Sequence, residues 1–127
     1  MNFPTNTQNN RIKQQAKHGS HLFKAIANQH RLLILCYIKQ REYSVSELEQ
    51  LTNLSQSALS QHLARLRKDG LVETRRSAQI IYYRLPNNQA KKLLDYMLEV
   101  LLDGNTAIPL NINKKNLNPG TIVPALF

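Results

Sequence analysis

Apolar residues along the 127-residue chain fall into short periodic groups separated by polar or turn-forming residues. From His21 to Asn28, Leu22, Phe23, Ile26 and Ala27 recur at helical spacing, and Asn28 breaks the pattern before a second helix expected from about Gln29 to Gln40. That second helix is apolar on most sides, as suits an element at the middle of a small domain. Ser46 and Glu49 have the spacing of a capping box, opening a short third helix with Leu48 and Leu51 turned inward and ending by Asn53. Ser55 is placed to cap a fourth helix, Gln56 to Lys68, in which Leu59, Leu63 and Leu66 recur at four and three residues and predict one buried face. Gly70 stops it by tolerating a left-handed cap.

Two β-type runs follow, Leu71 to Arg76 and Ile80 to Leu85, separated by Ser77-Ala78-Gln79 and closed by Pro86. They predict a hairpin in which Tyr82 and Tyr83 point to opposite faces. A last helix, Asn88 to Asp103, has eight apolar residues in the ten positions from Leu93 to Leu102, too many for one buried face of so small a domain. The excess predicts a second subunit. Residues 1–10, rich in Asn, Thr and Gln, read as a disordered arm, and residues 104–127, with three prolines and five asparagines, as an extended, mobile tail. The expected fold is therefore mainly α with a small β-hairpin, a single domain over 11–103.

Charge narrows the partner. Seventeen Lys and Arg against eight Asp and Glu leave a net charge of +9, which favours a polyanion, either nucleic acid or a membrane surface. From Met1 to Arg41 there are seven basic residues and no acidic one; a second basic block, Arg65 to Arg84, falls on the fourth helix and the hairpin. The single cysteine, Cys36, makes no intramolecular disulfide, and no apolar run approaches the roughly 20 residues of a membrane span. A soluble, cytoplasmic protein is expected, with no membrane partner. No phosphate-cradling glycine loop, nucleophile–histidine pair or carboxylate cleft is visible, so no enzyme is expected.

Helix, helix, short helix, capped helix, hairpin is the order of a winged helix-turn-helix, in which the fourth helix enters the major groove of double-stranded DNA and the hairpin reaches adjacent phosphates. Gln56, Ser57, Ser60 and Gln61, on the outward face near that helix's start, are short or amide side chains able to donate to and accept from base edges. Arg65, Lys68, Arg75 and Arg76 suit phosphates, and Gln79 and Tyr82 lie on or near the wing. His62 has two readings of equal weight, a phosphate contact or a packing contact on the helix flank.

The residues from Leu54 to Val72, with the run Ser-Gln-Ser-Ala-Leu-Ser-Gln-His ending at His62, closely resemble the recognition-helix signature of the ArsR/SmtB family of bacterial transcriptional regulators. Ala25 to Asn28, Arg31 to Cys36 and Arg75 to Leu85 resemble its second helix and wing, and the likeness spans about Leu22 to Leu102. Among branches the sequence is most similar to the HlyU/BigR-like redox- and sulfide-responsive regulators. The resemblance implies a homodimer joined through its first and last helices, bound to an imperfect inverted repeat, and acting as a repressor or as an antirepressor that displaces a silencing protein. A sequence-nonspecific architectural DNA binder is the alternative, and a protein-interaction module using the last helix is a third reading.

The family's sensing sites transfer poorly. Where one class places two cysteines around a valine, this chain has Ser44, Val45 and Ser46, and hydroxyls do not replace thiolates for soft metals. The last helix has Asp95 and Glu99 but no histidine for the Asp–His class. No metal and no cofactor are expected. Cys36 stands where the redox branch has its first cysteine, but the second position falls at about Leu102, so the branch's bridge cannot form. Two readings remain for Cys36: a lone redox thiol, or a buried small hydrophobe, the latter favoured.

Overall fold

A computed structural model describes residues 1–103 of the chain. The elements are α1 (Asn6–Ile26), α2 (Gln29–Gln40), β1 (Tyr43–Ser44), α3 (Val45–Thr52), α4 (Gln56–Lys68), β2 (Glu73–Ser77), β3 (Ile80–Arg84) and α5 (Ala90–Leu102). The tail expected over 104–127 lies outside the described residues. No helix among the described residues is long and apolar enough to cross a membrane.

The core forms around α2, as its near-continuous apolar surface requires. Ile34, Leu35 and Ile38 meet Ala25 and Ile26 of α1, Leu48 of α3, Leu59, Leu63 and Leu66 of α4, Leu71 and Val72, and Leu94 and Leu98 of α5. Asn28 does more than interrupt the helical pattern: its side chain accepts from the amides of His30 and Arg31 and caps α2. Ser55 caps α4 through Ala58 N at 3.1 Å, and Gly70 takes φ +71° beyond its end, both as the residue types demand.

Four expectations need correction. The chain is already helical at Asn6, where a disordered arm was expected to run to residue 10. Thr5 and Gln8 form a capping box, with Gln8 N donating to Thr5 Oγ1 at 3.2 Å and Thr5 N to Gln8 Oε1 at 2.9 Å. Two satisfied amides and a following run of Gln, Lys, Arg and Ala, all good helix formers, outweigh the lack of an apolar period. The box opening α3 is Ser44 with Glu47, two residues earlier than Ser46 with Glu49: Glu47 N donates to Ser44 Oγ, and Ser44 N to Glu47 Oε1. Finally, the wing has three strands. β1 pairs with β3 (Tyr43 opposite Tyr83, Ser44 opposite Tyr82), giving the antiparallel order β1-β3-β2. Its tip is shorter than expected, because Ser77 pairs with Ile80 and leaves only Ala78 and Gln79 to turn the chain, Ala78 at φ +55°.

Candidate nucleic-acid interface

The outward face of α4 is set by its leucines. With Leu59, Leu63 and Leu66 buried, Gln56, Ser57, Ser60 and Gln61 stand exposed, and their side chains make no hydrogen bond to protein among the described residues. An amide or hydroxyl that the fold leaves unused retains its full capacity to read a base edge. A groove runs beside this face between α4 and β3, lined by Val45, Ser60, Ala64, Arg67, Lys68 and Tyr83. Lys68 and Arg67 are exposed at its basic end. Arg67 belongs to the basic block without a role expected from the sequence; its place three residues after the outward Ala64 is the available signal.

The other candidate side chains divide by what holds them. Arg65 Nε donates to Asp69 Oδ2 at 2.8 Å, and His21 Nε2 lies 3.1 Å from the other oxygen of the same carboxylate, whose side chain is only 4% exposed. Burial works to raise the Asp69 pKa, but Arg65 and then His21 outweigh it and hold the carboxyl below its usual range. This triad ties the end of α4 to α1. On the wing, strand alternation sends Arg75 and Arg76 to opposite faces. Arg75 stacks over the Tyr82 ring, 4.7 Å from its centroid, and pairs with Glu42 at 2.7 Å. Arg76 and Gln79 are exposed at the tip, where Arg76 Nε donates to the Ala78 carbonyl at 3.2 Å. Tyr83 packs against the core, so the two tyrosines diverge as alternation predicts. Among the described residues Arg67, Lys68 and Arg76 enter no ion pair.

His62 is half-buried against His30, their ring centroids 5.6 Å apart, with Arg31 Nη1 3.5 Å from its Nδ1. A guanidinium only donates, so a hydrogen bond here requires Nδ1 to accept from a neutral ring. Burial first, then the charges of Arg31 and His30, push its pKa below the ordinary value. Cys36 packs against the core, and burial pushes its thiol pKa up, away from the thiolate that redox chemistry needs. No group of three or more metal-ligating side chains occurs among the described residues.

A capped helix with an unused polar face, set beside a three-stranded basic wing on a helical core, defines a winged helix-turn-helix protein. Residues 28–74 match the model of the arsR family of bacterial regulatory proteins. The transcriptional activator HlyU of Vibrio cholerae is 48% identical over 84 residues, which cover 66% of this chain and 78% of that protein. The crystal structure of the transcriptional repressor BigR from Xylella fastidiosa superposes with a TM-score of 0.70 at 33% identity, covering 77% of this chain and 97% of that one. The homodimeric winged helix-turn-helix DNA-binding domain Mb0332 of Mycobacterium bovis, a possible ArsR-family regulator, superposes with a TM-score of 0.63 at 28% identity, covering 81% and 91%. The chain belongs to the ArsR family, in the branch that holds HlyU and BigR, and is a regulatory protein rather than an enzyme.

Proposed function

We propose that this protein is a homodimeric transcriptional regulator that binds an inverted-repeat operator, with α4 in the major groove and the wing along the flanking backbone, as a repressor or antirepressor. The observation that carries this reading is the set of four exposed polar side chains, Gln56, Ser57, Ser60 and Gln61, without hydrogen-bond partners among the described residues, on one face of a helix whose opposite face is fixed in the core. Lys68 and Arg76 supply backbone contacts, being cationic, exposed and without carboxylate partners among the described residues. Dimerisation falls to α1 and α5, where Phe23 and Tyr96 are 52% and 70% exposed and Leu93 lies at the surface. A domain core gains nothing from side chains left there, whereas a second copy covers them.

Competition between a promoter fragment and random duplex tests the reading. Gln56→Ala or Ser57→Ala costs about 1 to 3 kcal/mol against the cognate site and little against random DNA. Removing Arg76 weakens both and lowers the salt slope by about one. Equal losses on both duplexes from the α4 variants point instead to the architectural, sequence-nonspecific binder.

A further inference from the structure

The outer face of the wing carries as much negative charge as positive, and Glu42 is its hub. This residue, one position before β1, accepts from Arg75 Nε at 2.9 Å and from Arg75 Nη2 at 2.7 Å on one oxygen, and from Arg84 Nη1 at 3.3 Å on the other. Arg84 Nε in turn donates to Glu73 Oε1 at 2.8 Å, directly across the β2–β3 ladder. Two arginines and two glutamates thus cancel on the face that holds Tyr82, while Arg76 on the other has no carboxylate partner among the described residues. A carboxylate engaging two nitrogens of one guanidinium occupies the same fork of donors that a backbone phosphate would take.

We propose that Glu42 is an internal competitor for the DNA backbone: it holds Arg75 in place of a phosphate, and the wing therefore binds duplex with one contact fewer than its basic residues would allow. The proposal rests on the DNA-binding reading above. Glu42 thereby sets how strongly the protein holds duplex of any sequence, since that affinity scales with the number of phosphates neutralised. The depressed pKa of Glu42, to which the Arg75 hydrogen bond contributes most, agrees with a carboxylate that stays ionised in this role.

The test is the slope of log affinity against log salt on a random duplex for the full chain, for Glu42→Gln, for Arg75→Ala and for the double variant. Arg75→Ala alone is expected to leave the slope unchanged. Glu42→Gln is expected to steepen it by about 0.9 and to tighten binding roughly 5- to 10-fold at 0.1 M salt, and adding Arg75→Ala to abolish both gains. A fall of about 0.9 in slope from Arg75→Ala alone would overturn the proposal, and this arm decides even where Glu42→Gln fails to fold. Tightening by Glu42→Gln that is equal with and without Arg75 would also overturn it, as a general effect of removing one negative charge. An unmodified chain with no affinity for any duplex defeats the DNA-binding reading itself, and this proposal with it.

Discussion

At the residue scale, the clearest case of context defeating composition is His62. It lies in the recognition-helix run among the side chains proposed to meet DNA, and the fold turns its ring onto His30 and sets Arg31 against Nδ1. That environment penalises the imidazolium, so the folded pKa lies below the ordinary 6.5. The sign of the stability effect follows from linkage: as pH falls through 6.5 the unfolded chain takes up the proton before the folded one, and stability declines until the folded pKa is passed. Urea unfolding between pH 7.5 and 5 should show this loss, and His62→Gln should lose less over the same window. A variant that tracks the unmodified chain throughout would place the titration elsewhere. The window lies above the range where Glu42, Glu47, Asp69 and Asp95, all depressed by their cationic partners, take up protons.

At the scale of elements, caps decide boundaries, and two boxes only two residues apart compete for the start of α3. Ser46 and Glu49 have the same spacing as Ser44 and Glu47, but only Ser44 is extended, at φ −75° and ψ 163°, buried at the end of β1. The strand pairing of Tyr43 and Ser44 with β3 sets that extended backbone, so a tertiary contact selects the box. Ser44→Ala should therefore destabilise the fold by about 1 kcal/mol and Ser46→Ala by less than about 0.5 kcal/mol, measured by chemical denaturation. The reverse order would restore the later start. Elements with strong local signals were legible in the sequence: Asn28 before α2, Ser55 before α4, the leucine face of α4 and Gly70 after it. β1 was not, because two residues carry no period and the strand exists only through its partner. The candidate face of α4 was equally legible, since its leucines fix which side turns out. The division of the wing arginines was not, because the ion pairs that hold Arg75 and Arg84 join residues more than thirty positions apart through Glu42.

At the scale of the whole molecule, the apolar surplus of α5 separates into two sets. Leu94 and Leu98 complete this chain's own core, while Tyr96 and Leu93 face outward one turn apart, and Phe23 on α1 is likewise exposed. Asp95, between them, is held by Lys39 at 3.1 Å and Lys91 at 3.3 Å, which anchors the polar side of α5 and fixes which side remains apolar. Replacing Tyr96 by Asp should shift sedimentation towards the monomer and weaken operator binding at least tenfold, with the far-ultraviolet spectrum unchanged. A dimer of undiminished stability would move the interface off α5.

Helix α1 has 21 residues, about 31 Å at 1.5 Å per residue, yet only Ala25 and Ile26 are buried. Its first three turns touch almost nothing of their own domain, and an isolated helix of that length is marginal in water. In the proposed dimer through α1 and α5, the amides of Asn9 to Lys17 would serve as a built-in gauge of assembly. Their exchange with deuterium should be fast in dilute protein and slow as concentration rises through the dimer dissociation constant, while the amides of α2 stay protected throughout. Protection near residue 12 that is independent of concentration would mean that the capping box alone sustains the helix.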